Sequence, residues 1–477
     1  MSTFNRLTGA RRARQSEEER LVVWHLNFAA SEVSLLFLRI ALLLGCAAIG
    51  LMAQTEDQPA EAEYGGPAIL SRGENPLGQS SAPISFRPYI GLNGVYDSGV
   101  VPVSVTSTGA IPFTDEEGVE LNLGAYVYRN WKRTTLALNY AGNFRHYTQS
   151  VYDGTDQLLA LVLTHQLSKH VEITLRTQAG TYSFNVPQPN GVGLVDNNYL
   201  QTPQNDLFYN PVFYVSTSGD LLYRMTARLS VRFGGEGDVV RRRASALYGV
   251  TSSAAHADME YRVTRHTTVG LDYRFNHLDF TGQFGSSNIH SVGLNFSRQL
   301  TRHMQVSARV GGARVETTNL EQVPIDPAVA VLIGETVGIQ AAYHLNYTPD
   351  VSVRLINEFQ RGQFSASYTN GVTPGNGVYL TSRSQGGDAQ YHYTGIRYWN
   401  FGVNGVYSRL STLAQALRAF DSYGGGVGVT RELGKGLHAV TRLDVRRYNV
   451  ANFYLHTETR VTFGFEYSPG NVPLAFW

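Results

Sequence analysis

The sequence is poor in cysteine, lysine and charge, and past residue 53 it has no long apolar run. Its one cysteine, Cys46, excludes an internal disulfide and any cysteine-based zinc site. Charged residues make up 16% of the 477 residues, against about 25% in ordinary soluble domains. Lysine occurs three times, at Lys132, Lys169 and Lys435, and each falls where the chain reads as a short turn. Codon bias toward arginine accounts for the scarcity but not for the placement. Beyond the N-terminus no apolar stretch reaches the ~18–20 residues of a membrane-spanning helix. A net charge of +1 argues against nucleic acid as the partner. No Walker-type, HExxH or CxxC pattern and no close histidine pair appears, so neither a phosphate loop nor a metal site is expected.

What the chain has is glycine (48), tyrosine (28) and a repeating unit. In Tyr261-Arg262-Val263-Thr264-Arg265-His266-Thr267-Thr268-Val269-Gly270-Leu271-Asp272-Tyr273 a strand meets a short polar turn and then an alternating strand. The same shape recurs at Gln166–Val171, Arg224–Leu229 and Gln299–Met304, with weaker copies at Leu345–Val351 and Glu432–Leu437. Two more sit at Tyr128–Lys132 and Tyr393–Trp399. One hairpin used repeatedly is the signature of a repeat-built fold. The turns centre near 131, 169, 226, 265, 302, 349, 398 and 434.

Eight such turns join sixteen strands, and one further strand at each end, near 85–97 and 455–468, brings the count to 18. A count of 16 follows if the first strand or the Gly-interrupted one near 213–225 does not form. The expected fold is all-β: a transmembrane antiparallel up-and-down β-barrel with short periplasmic turns and long extracellular loops. The loops are expected at 98–116, 184–212, 234–246, 318–333, 366–384 and 411–421, where Gly, Pro, Asn and Ser collect. A barrel of ~16–18 strands encloses a water-filled lumen.

Leu35–Gly45 continues to Ala53 as the one long apolar stretch, and residues 1–53 read as a leader with cleavage near Ala53. Leu43-Leu44-Gly45-Cys46 also allows lipidation of Cys46. Residues 54–84 read as a flexible periplasmic arm, and 85–477 as the barrel. The arm is too short for the plug of a TonB-dependent receptor or the passenger of an autotransporter.

Strand alternation assigns the faces. Val171, Ile173 and Leu175 alternate with Glu172, Thr174 and Arg176, and Met304, Val306, Ala308 and Val310 with Gln305, Ser307 and Arg309. Alternation alone fits a soluble sandwich equally well. The leader, the turn–loop asymmetry and the length of the repeat favour the membrane. Tyr126, Tyr128, Tyr140, Tyr147, Tyr398 and Trp399 lie near strand ends, where interfacial aromatic girdles sit.

Six arginines, Arg176, Arg232, Arg274, Arg309, Arg354 and Arg442, follow their turns by 7, 5, 9, 7, 5 and 7 residues. Odd offsets point all six to one face at similar heights. One reading is a basic lumenal band favouring anionic or polyhydroxylated solutes. The other is that these arginines brace the wall by pairing with Glu172, Asp272, Glu358, Asp444 and Glu458, which share the face. Both remain open, and the two can coexist. His170, His266 and His303 recur as polar turn residues. His256 shares a face with Ser252 and Asp258, but on one strand they stand more than about 6 Å apart. No enzyme and no cofactor is therefore expected.

The strand–turn–strand unit and the closing Thr459-Arg460-Val461-Thr462-Phe463-Gly464-Phe465-Glu466-Tyr467 resemble the loosely defined β-barrel porins of Gram-negative outer membranes, over about residues 85–477. The resemblance implies an outer-membrane location, insertion into lipid by the barrel-assembly machinery, and passive transport. Trp477 is a terminal aromatic, as such barrels have, but Pro469-Gly470-Asn471-Val472-Pro473 separates it from the last strand. The assembly signal is accordingly expected at Phe463, Phe465 and Tyr467, with Trp477. The expected function is a channel for small hydrophilic solutes or for export of polysaccharide. The alternative is a non-conducting structural or surface-interaction barrel.

Overall fold

The computed structural model describes residues 84–100, 113–182, 211–244, 247–281, 285–326, 334, 336–414, 417–434, 436–450 and 454–468. The leader with Cys46, the arm up to residue 83, Trp477 and most of the 184–212 loop lie outside the described residues.

Eighteen strands form. They are β1 (Ile84–Val100), β2 (Thr114–Asn130), β3 (Thr134–Tyr147), β4 (Gly154–Gln166), β5 (Val171–Tyr182), β6 (Val212–Arg224), β7 (Leu229–Arg242), β8 (Gly249–Thr264) and β9 (Thr267–Thr281). Then follow β10 (Gly285–Thr301), β11 (Met304–Pro324), β12 (Val337–Phe359), β13 (Gly362–Thr373), β14 (Ser382–Tyr393), β15 (Trp399–Thr412), β16 (Phe420–Gly434), β17 (Leu437–Val450) and β18 (Tyr454–Tyr467). Each strand pairs antiparallel with the next, and Ile90–Ser98 of β1 pairs with Tyr467–Thr459 of β18. The sheet is therefore a closed up-and-down barrel, which removes the exposed edges that an open sheet would present. Both doubtful strands form, the first as β1 and the Gly-interrupted one as β6, which settles the count at 18.

Proline misplaces one turn. Leu345–Val351 does not turn; β12 runs unbroken through it, with Pro349 opposite Gly312. Pairing of β12 with β13 begins only at Val351, so the N–H that Pro349 lacks falls where β12 has no second strand beside it. Such positions are where a sheet accepts proline. The real turn is at 360–361, and Arg354 precedes it rather than following one.

Several loops are shorter than expected because strands run on. β7 continues through Gly234, Gly235 and Gly237 to Arg242, and β13 reaches Thr373, leaving connections at 243–248 and 374–381. Short connections at 148–153, 282–284 and 451–453 on the same rim carry little loop signal.

The two faces are inverted relative to a soluble fold. Leu92, Leu294, Val310, Phe463 and Phe465 stand more than half exposed on the outside of the cylinder. Their strand neighbours Asn93, Arg309, Thr462 and Glu466 are buried on the inside. Tyr147 is among the buried, inward residues, so it does not belong to an outer girdle.

Toward the rim carrying the longer connections the inner face itself turns apolar. Tyr182, Val212, Tyr214, Val250, Leu278 and Phe280 form one buried cluster there. Leu380, from the 374–381 connection, belongs to the same cluster, and the backbone amide of Tyr248 donates to the Gly377 carbonyl at 3.1 Å. That connection therefore leaves β13, folds into the bore and reaches the β7–β8 rim.

Candidate transport path

All six arginines lie on the inward face, as the strand registers show. Arg309 pairs in register with Ser352 and Asn295, and Arg442 with Thr462 and Gly428. Arg232 lies opposite Asp258, Arg274 opposite Ser291, Arg354 opposite Ser307 and Arg176 opposite Ser218. Glu172, Asp272, Glu358, Asp444 and Glu458 share that face. A recess of about 150 Å³ opens among Arg232, Asp258, Glu260, Arg274, Arg309 and Ser352.

Arg176, Arg309 and Arg442 are neutralised by carboxylates. Arg309 donates from Nε to Asp272 Oδ1 at 2.9 Å and from Nη2 to Oδ2 at 2.6 Å, a bidentate pair, while its Nη1 stands 2.5 Å from Asp350. Arg442 makes the same fork to Asp444, at 2.6 and 2.8 Å. Arg176 pairs with Asp220, whose other oxygen accepts from His256 Nε2 at 2.8 Å. Glu172 takes its cation from Arg224, at 2.8 Å, and Glu458 accepts from the Tyr448 hydroxyl at 3.2 Å. Paired guanidinium and carboxylate groups present a polar lining with little net charge.

Inward glycines make these reaches possible. A Cβ on Gly293 would stand 2.7 Å from Asp272 Oδ1 and 2.8 Å from Arg309 Nε, so the ion pair lies flat across a bare stretch of β10. Gly234 does the same for His256 and Asp220, at 2.3 and 2.5 Å from its absent Cβ. At Gly124 and Gly180 the neighbour lying over the glycine is a ring, that of Tyr89 or Tyr214.

Turn-based counting missed a second ionic cluster, at the seam where the barrel closes. Arg460 of β18 meets Glu120 of β2 and, at 3.5 Å, Asp97 of β1. The Tyr147 hydroxyl donates to Asp97, and Arg145 pairs with Asp156 at 2.7 Å. Arg460, Glu120, Asp97, Tyr147 and Arg145 are strongly buried, and Asp156 is partly exposed. None of the eight turns read from the sequence lies close before Arg145 or Arg460, and only the pairing of the first strand with the last brings Asp97 to Arg460.

Nearer the rim of the longer connections the bore narrows. Tyr379 and Leu380 are buried, and the Tyr379 hydroxyl donates to the Arg418 carbonyl at 2.7 Å. Burial pushes that phenol up from its ordinary pKa. The Thr381 hydroxyl meets Ser287 on β10 at 2.5 Å, which ties the fold-in to the wall. Among the described residues no group of His, Cys, Asp and Glu is arranged to hold a metal. His256 belongs to the Arg176–Asp220 pair, and Ser252 donates to Asp238, at 2.7 Å.

No family model and no characterised protein sequence matches the chain. Solved structures do resemble it. OpdQ of Pseudomonas aeruginosa is 14% identical with a TM-score of 0.39, over 82% of this chain and 98% of that one. OccK2 (OpdF) of the same organism, solved with glucuronate, is 12% identical with a TM-score of 0.40, over 81% and 98%. A BenF-like porin from Pseudomonas fluorescens Pf-5 is 11% identical with a TM-score of 0.39, over 80% and 98%. Nothing about solutes follows from a likeness at this level.

Proposed function

We propose that this chain is an outer-membrane channel through which small hydrophilic solutes diffuse. The observation that carries the reading is the inversion of the two faces: exposed Leu, Val and Phe outside, buried ionic groups inside a closed barrel of 18 strands. A charge on the lipid side of such a barrel costs about 2–4 kcal/mol at the midplane, and Arg309, Arg442 and Arg460 all point away from it. The short turns then face the periplasm and the longer connections the outside. Residues 1–53 export the chain, and the barrel-assembly machinery reads Phe463, Phe465 and Tyr467, which stand outward on β18, together with Trp477.

The six arginines act mainly as braces, and the lining they share with Asp258, Glu260 and Asp272 suits polyhydroxylated solutes better than it suits strong anion selection. Polysaccharide export fits less well, because Tyr379 and Leu380 stand in the bore. That fold-in also supports a second reading, a barrel whose mouth stays shut and which serves as a surface scaffold. Catalysis has no part in either. Recording from purified protein in a planar bilayer separates the two: discrete conductance steps are expected, and their absence at every voltage defeats the channel.

A further inference from the structure

The outer face of β10 is apolar over a bounded stretch. Val292, Leu294 and Phe296 stand outward between Arg298 and His290, which share their parity. From Arg298 to His290 the strand rises ~21 Å at the usual tilt, close to the ~25 Å apolar band of an outer-membrane barrel. In register, the row of Arg298 crosses β12 at Leu355, and the row of His290 crosses Arg314 on β11 and Tyr347 on β12. Above that row the outer face of β11 turns polar. Arg314 pairs with Glu316, and Thr318 is the next outward residue.

β12 does not follow its neighbours. Beyond Tyr347 its outward positions are Leu345, Tyr343, Ala341, Ile339 and Val337, apolar without a break. Tyr347 is 73% exposed, Tyr343 60% and Ile339 73%. From Tyr347 to Val337 the strand rises a further ~25 Å. Tilt displaces a row by only ~6 Å across two strands, so the stripe outruns the lipid that ends near His290. Its inner side is held in place: Asn346 Nδ2 donates to the Leu413 carbonyl at 2.9 Å, and Asn319 Nδ2 to that of Ala414 at 3.5 Å. The apolar side of the hairpin therefore looks outward. Above Val351, among the described residues, no strand flanks β12 on its far side. Polar lipid headgroups leave such a stripe uncovered, and an exposed apolar patch of this size marks a contact with protein.

We infer that two copies of this chain associate in the membrane by packing their β12 stripes against each other around Tyr343. The membrane holds both copies upright at one height, so a two-fold axis along its normal brings the stripe onto itself. Strand tilt crosses the two hairpins at roughly right angles, one of the two ordinary ways in which sheets pack. Val337, Ile339, Tyr343, Leu345 and Tyr347 offer on the order of 500 Å² per copy, so a pair buries about 1,000 Å², where specific interfaces begin. The shared plane and orientation also lessen the rotational freedom lost on association. Charge does not oppose the contact, because Arg314 beside the stripe is neutralised by Glu316. The inference rests on the barrel's standing in lipid and not on its conducting.

Disulfide trapping in outer membranes tests the interface. In a Cys46→Ala background, Tyr343→Cys is compared with Val119→Cys, which stands outward on β2, across the barrel. Both variants are first shown to fractionate with the membrane and to migrate as folded barrels. That step separates a failure of the membrane reading from a failure of the interface. Under copper phenanthroline, Tyr343→Cys is expected to give at least about five-fold more disulfide-linked dimer than Val119→Cys, because the interface holds its thiols at high effective concentration. Adding Ile339→Ser and Tyr347→Ser to Tyr343→Cys is expected to bring its yield down to that of Val119→Cys. Equal yields from the two single-cysteine chains, or a yield that the serine substitutions leave unchanged, would overturn the inference. If Tyr343→Cys does not fold, benzoylphenylalanine at position 343 takes its place. Photo-cross-links to a second copy support the interface, and cross-links only to other polypeptides or to lipid overturn it.

Discussion

Arg309 on β11 reaches over Gly293 on β10 and grips both carboxylate oxygens of Asp272 on β9. One side chain thereby ties three strands, and through Asp350 it ties β12 as well. Both partners are buried, Arg309 at 7% and Asp272 at 2% exposure, so neither can fall back on water when the other is removed. Arg309→Gln is expected to destabilise the barrel by about 3 kcal/mol, because a buried carboxylate is left without its cation. Arg309→Met with Asp272→Leu is expected to recover much of that loss. Urea midpoints of heat-modifiable migration in detergent measure both. A single variant as stable as the parent would show that the pair braces nothing.

Gly293 is expected to resist substitution for the same reason. Gly293→Val puts a branched side chain where the ion pair lies and should cost about 1–3 kcal/mol by overpacking. Gly237→Ala serves as the control, since nothing lies within 4 Å of its absent Cβ. The same unfolding assay applies, and equal stability of the two variants would rule out a flat-lying pair.

The fold-in at 374–381 should limit flow. Tyr379→Ala with Leu380→Ser removes the two buried side chains that stand in the bore. Single-channel conductance is expected to rise. An unchanged conductance would place the narrowest point elsewhere.

One loop should respond to acid. Burial pushes the Asp153 carboxyl up, but the Tyr147 amide and the His146 ring, each bonded at 2.8 Å, outweigh it and hold the group below its ordinary pKa. A depressed carboxylate lends stability above its unfolded pKa and loses it as pH falls through the folded one. Protection against hydrogen exchange at 148–153, relative to the unstructured chain at the same pH, should therefore fall in strong acid and stay flat through neutral pH. Asp153→Asn should abolish that response; acid sensitivity that survives the substitution would assign it to another group.

Sequence alone carried the strands and their faces, because a period of two is local and the outside of this barrel wants apolar residues at every second position. Val269, Leu271 and Tyr273 show it plainly, all exposed. Pro349 misled because proline usually ends a strand, and only the late start of β13 makes it harmless. Val212, Tyr214, Leu278 and Phe280 were not recognisable as inward because they break the polar-inside rule, and the reason lies in a distant connection that packs on them. Partner choice was the least legible. Arg176 binds Asp220 and Arg460 binds Glu120, pairings that depend on register between strands and on inward glycines. Spacing along one strand carries neither.

The central claim is that Leu294 meets acyl chains while Ser307 meets water. Nitroxides attached at Leu294→Cys and Ser307→Cys in liposome-reconstituted protein test it through collision with oxygen and with a water-soluble nickel chelate. The account predicts oxygen-dominated relaxation at 294 and chelate-dominated relaxation at 307. Chelate access at 294 equal to that at 307 would contradict it.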